Sequence, residues 1–194
     1  MAIKISHLPD ELVVDDEIVL RAKSSVSFPL FAEVIVKERD NLSKWLPWAI
    51  DAPNQSSIDH YNQAPEKKKN NESLDYDIFH NEQYVGAIGA MNRTPENTML
   101  ELGYWLSFPY RGQGIVSRSV NSLTDMLFEL TDTPAIQIAF QPLNAESKAV
   151  AVRAGYVFQE MGTCTPSGFA EPVEANYHWI TREVWEEGLT RVRP

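Results

Sequence analysis

A glycine-containing turn is the segment of this chain best suited to bind an anion. Gly112 and Gly114 stand in residues 110–117, between an alternating apolar stretch and a helical one. A helix start leaves its first N–H groups without intrahelical partners, and glycines let the chain wrap those donors around a phosphate. Arg111 adds a cation beside them. The turn predicts a phosphate site, with an ordinary strand-to-helix turn as the alternative, because a short Gly-x-Gly is not specific by itself.

The segments before and after the turn differ in the spacing of their hydrophobic residues. Residues 100–106 alternate as a strand does, with Leu100, Leu102, Tyr104 and Leu106 on one face and Glu101, Gly103 and Trp105 on the other. After the turn, apolar residues recur at spacings of four and three, at Val116, Val120, Leu123, Leu127 and Leu130. This spacing predicts a helix of roughly four turns that begins near Gly114.

The remaining patterns surround this unit with strands and helices. Residues 3–14 are expected to pair with or cover a first strand at residues 18–22. Ser27 is expected to cap a helix, and a further helix is expected over residues 54–63, followed by an exposed loop at 66–72. The three lysines of that loop could touch a phosphate or simply be solvated. The later patterns predict a meander over 73–91 and a turn at 94–97 that leads into residues 100–106. They then predict a strand at 136–140, a helix from Asn144 to Ala154, a strand at 156–160, a loop at 162–175, a strand at 177–181 and a helix at 182–189.

Composition narrows the class of protein. The chain has 194 residues, of which 43% are hydrophobic, so we expect one domain, 1–194, with an N-terminal extension at 1–16. No run approaches the roughly 20 apolar residues of a membrane span and no leader opens the chain, so a cytoplasmic protein is expected. A single cysteine excludes internal disulfides, and four dispersed histidines predict no metal site. A net charge of −10 argues against nucleic acid and suits cationic substrates such as amines.

Five motifs resemble those of one enzyme family. They occupy residues 45–48, 85–88, 101–106, 111–114, and 144–147 leading to 154–156. Their order and spacing resemble the GNAT N-acetyltransferases, and among these the RimJ/RimL branch, which acetylates N-terminal amines of ribosomal proteins. The resemblance runs over about 18–185. It implies an α/β fold: a mixed, mostly antiparallel sheet of about seven strands with helices on both faces, splayed between strands four and five.

The resemblance also implies a co-substrate and its binding residues. Acetyl-CoA would lie in the splay, with its pyrophosphate on the N–H groups of the turn and helix start, and no metal is implied. The implied cofactor-binding residues are Leu102, Gly103, Tyr104, Arg111, Gly112, Gln113, Gly114, Ile115, Val116, Ser117 and Asn144. Val116 departs from the family's usual Gly or Ala. Its β-branched side chain could crowd the cofactor or turn into the core, and the helical stripe favours the core.

Acetyl transfer to an amine requires a base, because an ammonium cannot attack a thioester. By resemblance, Glu101 matches a glutamate that takes the proton through water or binds the amine. The alternative is a strand glutamate that is paired with a basic neighbour or faces solvent. Ser147 matches a serine suited to meet the leaving sulfur, although a local bond at the helix start is also open. The tyrosine that many GNAT enzymes place one turn later is replaced by Ala151. Trp45 and Trp48 could wall an acceptor pocket or pack in the core.

These expectations combine into one function with two alternatives. The leading hypothesis is direct attack in a ternary complex by a protein or peptide N-terminal α-amine, whose reference pKa near 8 is about two units below that of lysine. The alternatives are a small amine acceptor, such as a polyamine, amino acid or aminoglycoside, and a non-catalytic acyl-CoA-binding module. No nucleic acid or membrane partner is expected, and a homodimer is common in similar proteins.

Overall fold

A computed structural model of the chain describes residues 3–92, 99–165 and 171–189. The strands are β1 Glu11–Val13, β2 Ile18–Ala22, β3 Ser73–His80, β4 Gln83–Asn92, β5 Leu100–Leu106, β6 Ala135–Phe140, β7 Val157–Cys164 and β8 Val173–Thr181. The helices are α1 Phe28–Leu42, α2 Gln55–Lys69, α3 Ile115–Leu130, α4 Ala145–Arg153 and α5 Arg182–Leu189. Two short 3-10 helices, Pro47–Ala49 and Phe108–Tyr110, lie between them.

The strands form one mixed sheet in the order β1-β2-β3-β4-β5-β6-β8-β7. All neighbouring pairs are antiparallel except β5 and β6, which run parallel. The predicted α/β class and mostly antiparallel sheet are confirmed. The sheet has eight strands rather than about seven because part of the N-terminal extension forms β1, which pairs with β2.

The two parallel strands separate soon after they meet. Leu100–Leu102 of β5 pair with Ile136–Ile138 of β6. Beyond these residues, β5 continues to Leu106 and β6 to Phe140, but the two strands no longer pair with each other. The splay predicted between the fourth and fifth strands is therefore present, at β5 and β6 once β1 is counted. It opens a gap in the middle of the sheet, beside the start of α3.

Each face of the sheet has its own apolar core. The first core includes Ile3, Ile5 and Leu8 of the N-terminal segment and lies beneath α3, whose Val120, Leu123 and Leu127 are fully buried. The second core lies beneath α1 and α2 and includes Phe31, Ile35, Leu42, Tyr61, Phe79 and Tyr84. Helices therefore cover both faces of the sheet. Because β5 and β6 separate, the gap between them connects the two sides of the sheet.

The helical boundaries before the meander differ from the predicted ones. α2 runs from Gln55 to Lys69, so the predicted end near Gln63 and the exposed loop at 66–72 are wrong. The hydrophobic pattern did not reveal the last turns of α2, because the segment from Pro65 to Lys69 has no apolar residues at helical spacing. The start of the helix is marked by a capping box between Asn54 and Ser57. At α1, Ser27 is the N-cap residue but its hydroxyl donates to the Ser24 carbonyl oxygen instead of capping.

The second half of the chain follows the predicted elements more closely. α4 starts after Asn144, whose side chain accepts a hydrogen bond from the Ser147 N–H, and Gly155 follows the helix at a φ of 83°. In α3, Leu130 is 46% exposed, so its predicted burial is wrong; it lies in the last turn, beyond the core. β7 reaches Cys164 and β8 begins at Val173, so strands occupy part of the loop predicted at 162–175. The predicted turn at 94–97 lies outside the described residues.

Candidate active site

One cavity of about 1460 Å³ passes through the gap between β5 and β6. Its wall includes the start of α3 and one face of α4 on one side, and α2 with the 3-10 helix Pro47–Ala49 on the other. Every residue predicted to bind cofactor or acceptor, or to act in catalysis, lines this cavity except Gln113. The Gln113 side-chain amide instead donates to the Pro109 carbonyl oxygen over 3.1 Å.

The glycine turn has the backbone that an anion site requires. Gly112 and Gly114 have φ values of 76° and 75°, a region that favours glycine, and no heavy atom lies within 4 Å of a Cβ built at either residue. Gly114 is the N-cap of α3, and no side chain caps the first turn of this helix. The first N–H groups of α3 therefore face the cavity, with the positive end of the helix dipole behind them. This geometry suits an anion such as a phosphate, and the binding of acetyl-CoA by these residues stays a prediction.

Basic side chains surround this turn, but ion pairs within the protein already engage some of them. Arg111 Nη1 donates to Glu146 Oε2 over 2.9 Å, which ties the turn to the first turn of α4 and offsets the charge of Arg111. Arg118 is engaged with Asp15 and Glu17. Arg153 in the last turn of α4 lines the cavity opposite Ser117, and sequence reasoning missed it because only the packing of α4 against α3 brings it there.

Val116 follows the helical stripe in which the sequence places it. Only 9% of its surface is exposed, and it packs in the core beneath α3. Of the two positions left open for this β-branched side chain, the structure shows the one that points into the core. Its backbone N–H remains in the first turn of the helix.

Glu101 lies on β5 beside the gap, on the face that α1 and α2 cover. Gln137, its parallel neighbour on β6, donates from Nε2 to Glu101 Oε2 over 2.6 Å. Gln137 is 8% exposed, so this bond is held within the sheet and fixes the orientation of the carboxylate. Gly103 stands next on the same face and leaves space beside the carboxylate, since a Cβ built there would meet only Met91 Cε, at 3.5 Å.

On the opposite face of β5, two hydroxyl groups meet. Tyr104 Oη lies 2.9 Å from Ser147 Oγ in the first turn of α4. Burial raises the pKa of Tyr104 to about 12, although the Ser147 hydroxyl and Arg153 act in the other direction. The phenol therefore keeps its proton at neutral pH and can donate to Ser147. The sequence indicated Ser147 but not this partner, because nothing in it shows that the two side chains meet.

The Ser147 N–H and hydroxyl make separate contacts. Asn144 Oδ1 accepts from the Ser147 N–H over 3.1 Å, which is the local bond expected at a helix start. The hydroxyl is directed instead toward Tyr104, so the local bond and a role in the cavity are compatible. Ala151, one turn later, is fully buried and offers no polar group.

Aromatic rings form the wall on the α1 and α2 side. Trp48 lies 6.0 Å from Phe31 and 6.2 Å from Trp105 between ring centroids, and it packs against the second core while also lining the cavity. Trp48 therefore packs in the core and also lines the cavity, and its contact with an acceptor stays a prediction. Trp45 lines the cavity too, with Lys44 Nζ 4.8 Å from its ring centroid.

Two absences apply to the part of the chain that the structure describes. Residues 3–92, 99–165 and 171–189 contain no cluster of three or more His, Cys, Asp and Glu residues that could hold a metal ion. Within the same ranges, every helix is too short or too polar to cross a bilayer.

Comparisons with known proteins agree with this geometry. Residues 17–157 match a protein-family model, which is described as "acetyltransferase (GNAT) domain". YdaF of Bacillus subtilis (strain 168), provisionally named as a ribosomal N-acetyltransferase, is 26% identical over 180 residues, which cover 89% of this chain and 96% of YdaF.

Two solved structures share the fold. The microcin C7 self-immunity acetyltransferase MccE, solved with acetyl-CoA and AMP, superposes with a TM-score of 0.81 at 20% identity, over 92% of this chain and 99% of MccE. RimL, a ribosomal L7/L12 α-N-protein acetyltransferase solved with coenzyme A, has a TM-score of 0.78 at 22% identity, over 90% of this chain and 99% of RimL. At these identities the two likenesses establish the fold alone.

Proposed function

The chain belongs to the GNAT acetyltransferase family, and on that basis we propose that it transfers an acetyl group from acetyl-CoA to the N-terminal α-amine of a protein or peptide. One observation carries this proposal. Glu101 and the Tyr104–Ser147 pair line one cavity from opposite faces of β5, where that strand leaves β6. A proton acceptor and a hydroxyl donor thus stand on the two sides of a gap through which an amine and a thioester can meet.

Acetyl-CoA supplies an activated acetyl thioester at this gap. The N–H groups at the start of α3 hold its phosphates, and Asn144 and Ser147 stand along α4 beside it. The main-chain groups of β5 beyond Leu102 are not paired with β6. We assign to the N–H groups of this segment the hydrogen bond to the acetyl carbonyl oxygen.

Glu101 accepts the proton of the incoming ammonium, directly or through a water, so that the amine can attack. Gln137 holds the carboxylate in place through the bond to Oε2. On the other face, we assign the Tyr104 proton to Ser147 Oγ, which lies 2.9 Å away, rather than to the Ser147 carbonyl oxygen, which lies 3.3 Å away. The Ser147 proton is then free to point toward the leaving sulfur. The chain therefore removes a proton on one side of β5 and stabilises a thiolate on the other.

An α-amine is the acceptor that this arrangement favours. Its reference pKa near 8 places a substantial neutral fraction at physiological pH, whereas a lysine side chain near 10.4 stays almost fully protonated. The likeness to YdaF over nearly its whole length supports a ribosomal or other protein N-terminus. Such an acceptor is made in the cytoplasm, which is where we place the reaction. One domain over residues 1–194 and a homodimer remain predictions.

The test is release of free thiol from acetyl-CoA against a panel of amines. The panel contains short peptides with different first residues, lysine with its α-amine blocked, spermidine and an aminoglycoside. We expect release with peptides and a mass increase of one acetyl group on the peptide α-amine. Release with a small amine alone would replace this function by metabolite or drug modification. Thermal stabilisation by acetyl-CoA without release with any amine would favour a binding module.

A further inference from the structure

A buried carboxylate on α1 does not line the cavity and takes no part in the transfer described above. Glu38 stands on the core-facing stripe of α1, between the buried residues Ile35 and Leu42, and only 7% of its surface is exposed. A carboxylate is costly to bury unless it accepts hydrogen bonds. Its place on an apolar stripe therefore indicates a specific contact rather than a solvated surface charge.

Glu38 Oε2 accepts two hydrogen bonds, and one of them comes from a distant part of the chain. The near donor is Asn41 Nδ2, also on α1, at 3.2 Å. The distant donor is the Phe108 N–H, 70 positions along the chain, whose nitrogen lies 3.0 Å away. Phe108 opens the 3-10 helix Phe108–Tyr110, and the side chain of its N-cap residue, Ser107, does not cap it. Glu38 thus supplies from α1 an acceptor that the start of this short helix lacks.

The 3-10 helix leads directly into the glycine turn and is bonded to it. The Phe108 carbonyl oxygen accepts from the Arg111 N–H over 3.1 Å, and Arg111 Cζ lies 5.3 Å from the centroid of the Phe108 ring. The Gln113 side-chain amide donates back to the Pro109 carbonyl oxygen over 3.1 Å. Two side chains of the turn therefore rest on the 3-10 helix, so the position of this helix fixes that of the turn.

Two further contacts hold the same segment, but neither involves a charged group. The Ser107 N–H donates to the Val85 carbonyl oxygen over 2.8 Å, where β5 ends beside β4. Tyr110 Oη donates to Gln83 Oε1 over 2.6 Å at an exposed position. A hydrogen bond to a carboxylate is stronger than one between neutral groups. Glu38 therefore fastens the segment to α1, which is itself packed in the second core.

We propose that Glu38 is a positioning residue for acetyl-CoA: by accepting from the Phe108 N–H, it holds the glycine turn in the conformation that receives the phosphates. The turn is then ordered before the ligand arrives, and binding does not include the cost of ordering it. This inference rests on the binding of acetyl-CoA by the glycine turn. It does not depend on which amine accepts the acetyl group.

Three variants of α1 test the bond from the acceptor side. Glu38→Met removes the acceptor at similar length, and we expect roughly tenfold weaker binding of acetyl-CoA by titration calorimetry. Glu38→Gln keeps an oxygen that can accept, so it should restore most of the affinity. Glu33→Met removes an exposed glutamate of the same helix, which pairs with Lys37, and should bind as the wild type does. At saturating acetyl-CoA, kcat should stay within about threefold of the wild type in all three, since the role is in binding.

Two variants of Phe108 test the same bond from the donor side. Phe108→Pro removes the N–H at the first position of the 3-10 helix, where proline fits, and Ser107 already has the backbone that a following proline requires, at φ −58° and ψ 137°. Phe108→Ala also removes the ring but keeps the N–H. The Phe108 side chain is exposed, so neither change opens a cavity in the core. We expect the proline variant to bind acetyl-CoA about tenfold more weakly than the alanine variant.

Hydrogen exchange in the protein without acetyl-CoA gives a readout that needs neither ligand nor acceptor. We expect Glu38→Met to speed exchange at the amides of Phe108 and Arg111, whereas Glu33→Met leaves them as in the wild type. If Glu38→Met does not fold, the two Phe108 variants and the exchange rates of Glu38→Gln decide, and the latter should lie near those of the wild type.

The possible failures are distinguishable. A wild-type affinity for acetyl-CoA in Glu38→Met, an equal loss in Glu38→Gln, or equal affinities in the two Phe108 variants would overturn the positioning role, even if the melting temperatures fall. None of these results bears on the acceptor. No acetylation of any peptide, with the differences in acetyl-CoA binding intact, would overturn the proposed function and leave the role of Glu38 standing.

Discussion

The hydroxyl oxygen of Tyr104 lies 2.9 Å from the hydroxyl oxygen of Ser147, and this contact joins β5 to the first turn of α4. It brings a phenol that burial keeps protonated to the serine that faces the cavity. In this arrangement the Tyr104 side chain acts through Ser147: it directs the serine proton, and the phenol itself touches neither the acceptor nor the acetyl group in the proposed reaction.

Tyr104→Phe removes this hydrogen bond and keeps the ring. We expect kcat to fall about tenfold because the Ser147 proton loses its fixed direction, while the KM for acetyl-CoA changes little. Steady-state kinetics with a peptide acceptor measure both constants. The double variant with Ser147→Ala should be no slower than Ser147→Ala alone, since Tyr104 acts through Ser147. Independent, additive losses would contradict the positioning role.

Gly114→Ala tests the anion site at the start of α3. An alanine at a φ of 75° is strained by about 1 kcal/mol, so we expect a lower melting temperature and roughly tenfold weaker binding of acetyl-CoA. Gly188→Ala is the matched control, because Gly188 lies in α5 with no atom within 4 Å of an added Cβ and without a positive φ. The control should be as stable as the wild type or more so. Equal acetyl-CoA affinities in both variants would remove the turn from the binding site.

His60 gives the protein a pH-dependent stability with a defined sign. The folded protein protonates His60 only near pH 4, because burial and the neighbouring Lys23 lower its pKa, whereas the unfolded chain does so near its ordinary pKa of 6.5. Between these values the unfolded state binds more protons, so the free energy of unfolding decreases as pH falls through this window. His60→Gln cannot titrate, and its amide oxygen can still accept from Lys23. Melting curves from pH 4 to 6.5 should be flatter for this variant, and parallel curves would contradict the burial of a neutral His60.

The strand and helix beside the gap were predictable because their periods are local. The alternation of residues 100–106 and the stripe of α3 give the correct bounds within one residue. α2 was not predictable in full, since Pro65 and the lysines that follow it belong to a helix whose stability comes from a capping box and from packing on β3. β1 confirms the expected pairing of residues 3–14 with the first strand. The burial of Ile3 and Ile5 was not predictable in the same way, because this segment is held by contacts far along the chain, such as the bond from the Ile5 N–H to Asn71 Oδ1.

In the candidate site too, features that are local in the sequence were predictable and contacts between distant residues were not. Glu101, Ser147 and the glycine turn were identified from motifs that lie close together along the chain. The Glu101 contact with Gln137 and the Tyr104 contact with Ser147 join residues 36 and 43 positions apart. Their meeting depends on strand register and helix packing, which a single sequence does not display.

The rate at which Glu101→Gln acetylates a peptide α-amine tests the central claim most directly. The measurement is acetyl incorporation into an N-terminal serine peptide, followed by mass spectrometry at saturating acetyl-CoA, with Glu129→Gln on the exposed end of α3 as control. Loss of the proton acceptor should lower kcat by about 10²- to 10⁴-fold while acetyl-CoA still stabilises the protein against heat, and the control should match the wild type. A kcat for Glu101→Gln within about threefold of the wild type would contradict the role of Glu101 as the base and, with it, the mechanism built on the two faces of β5.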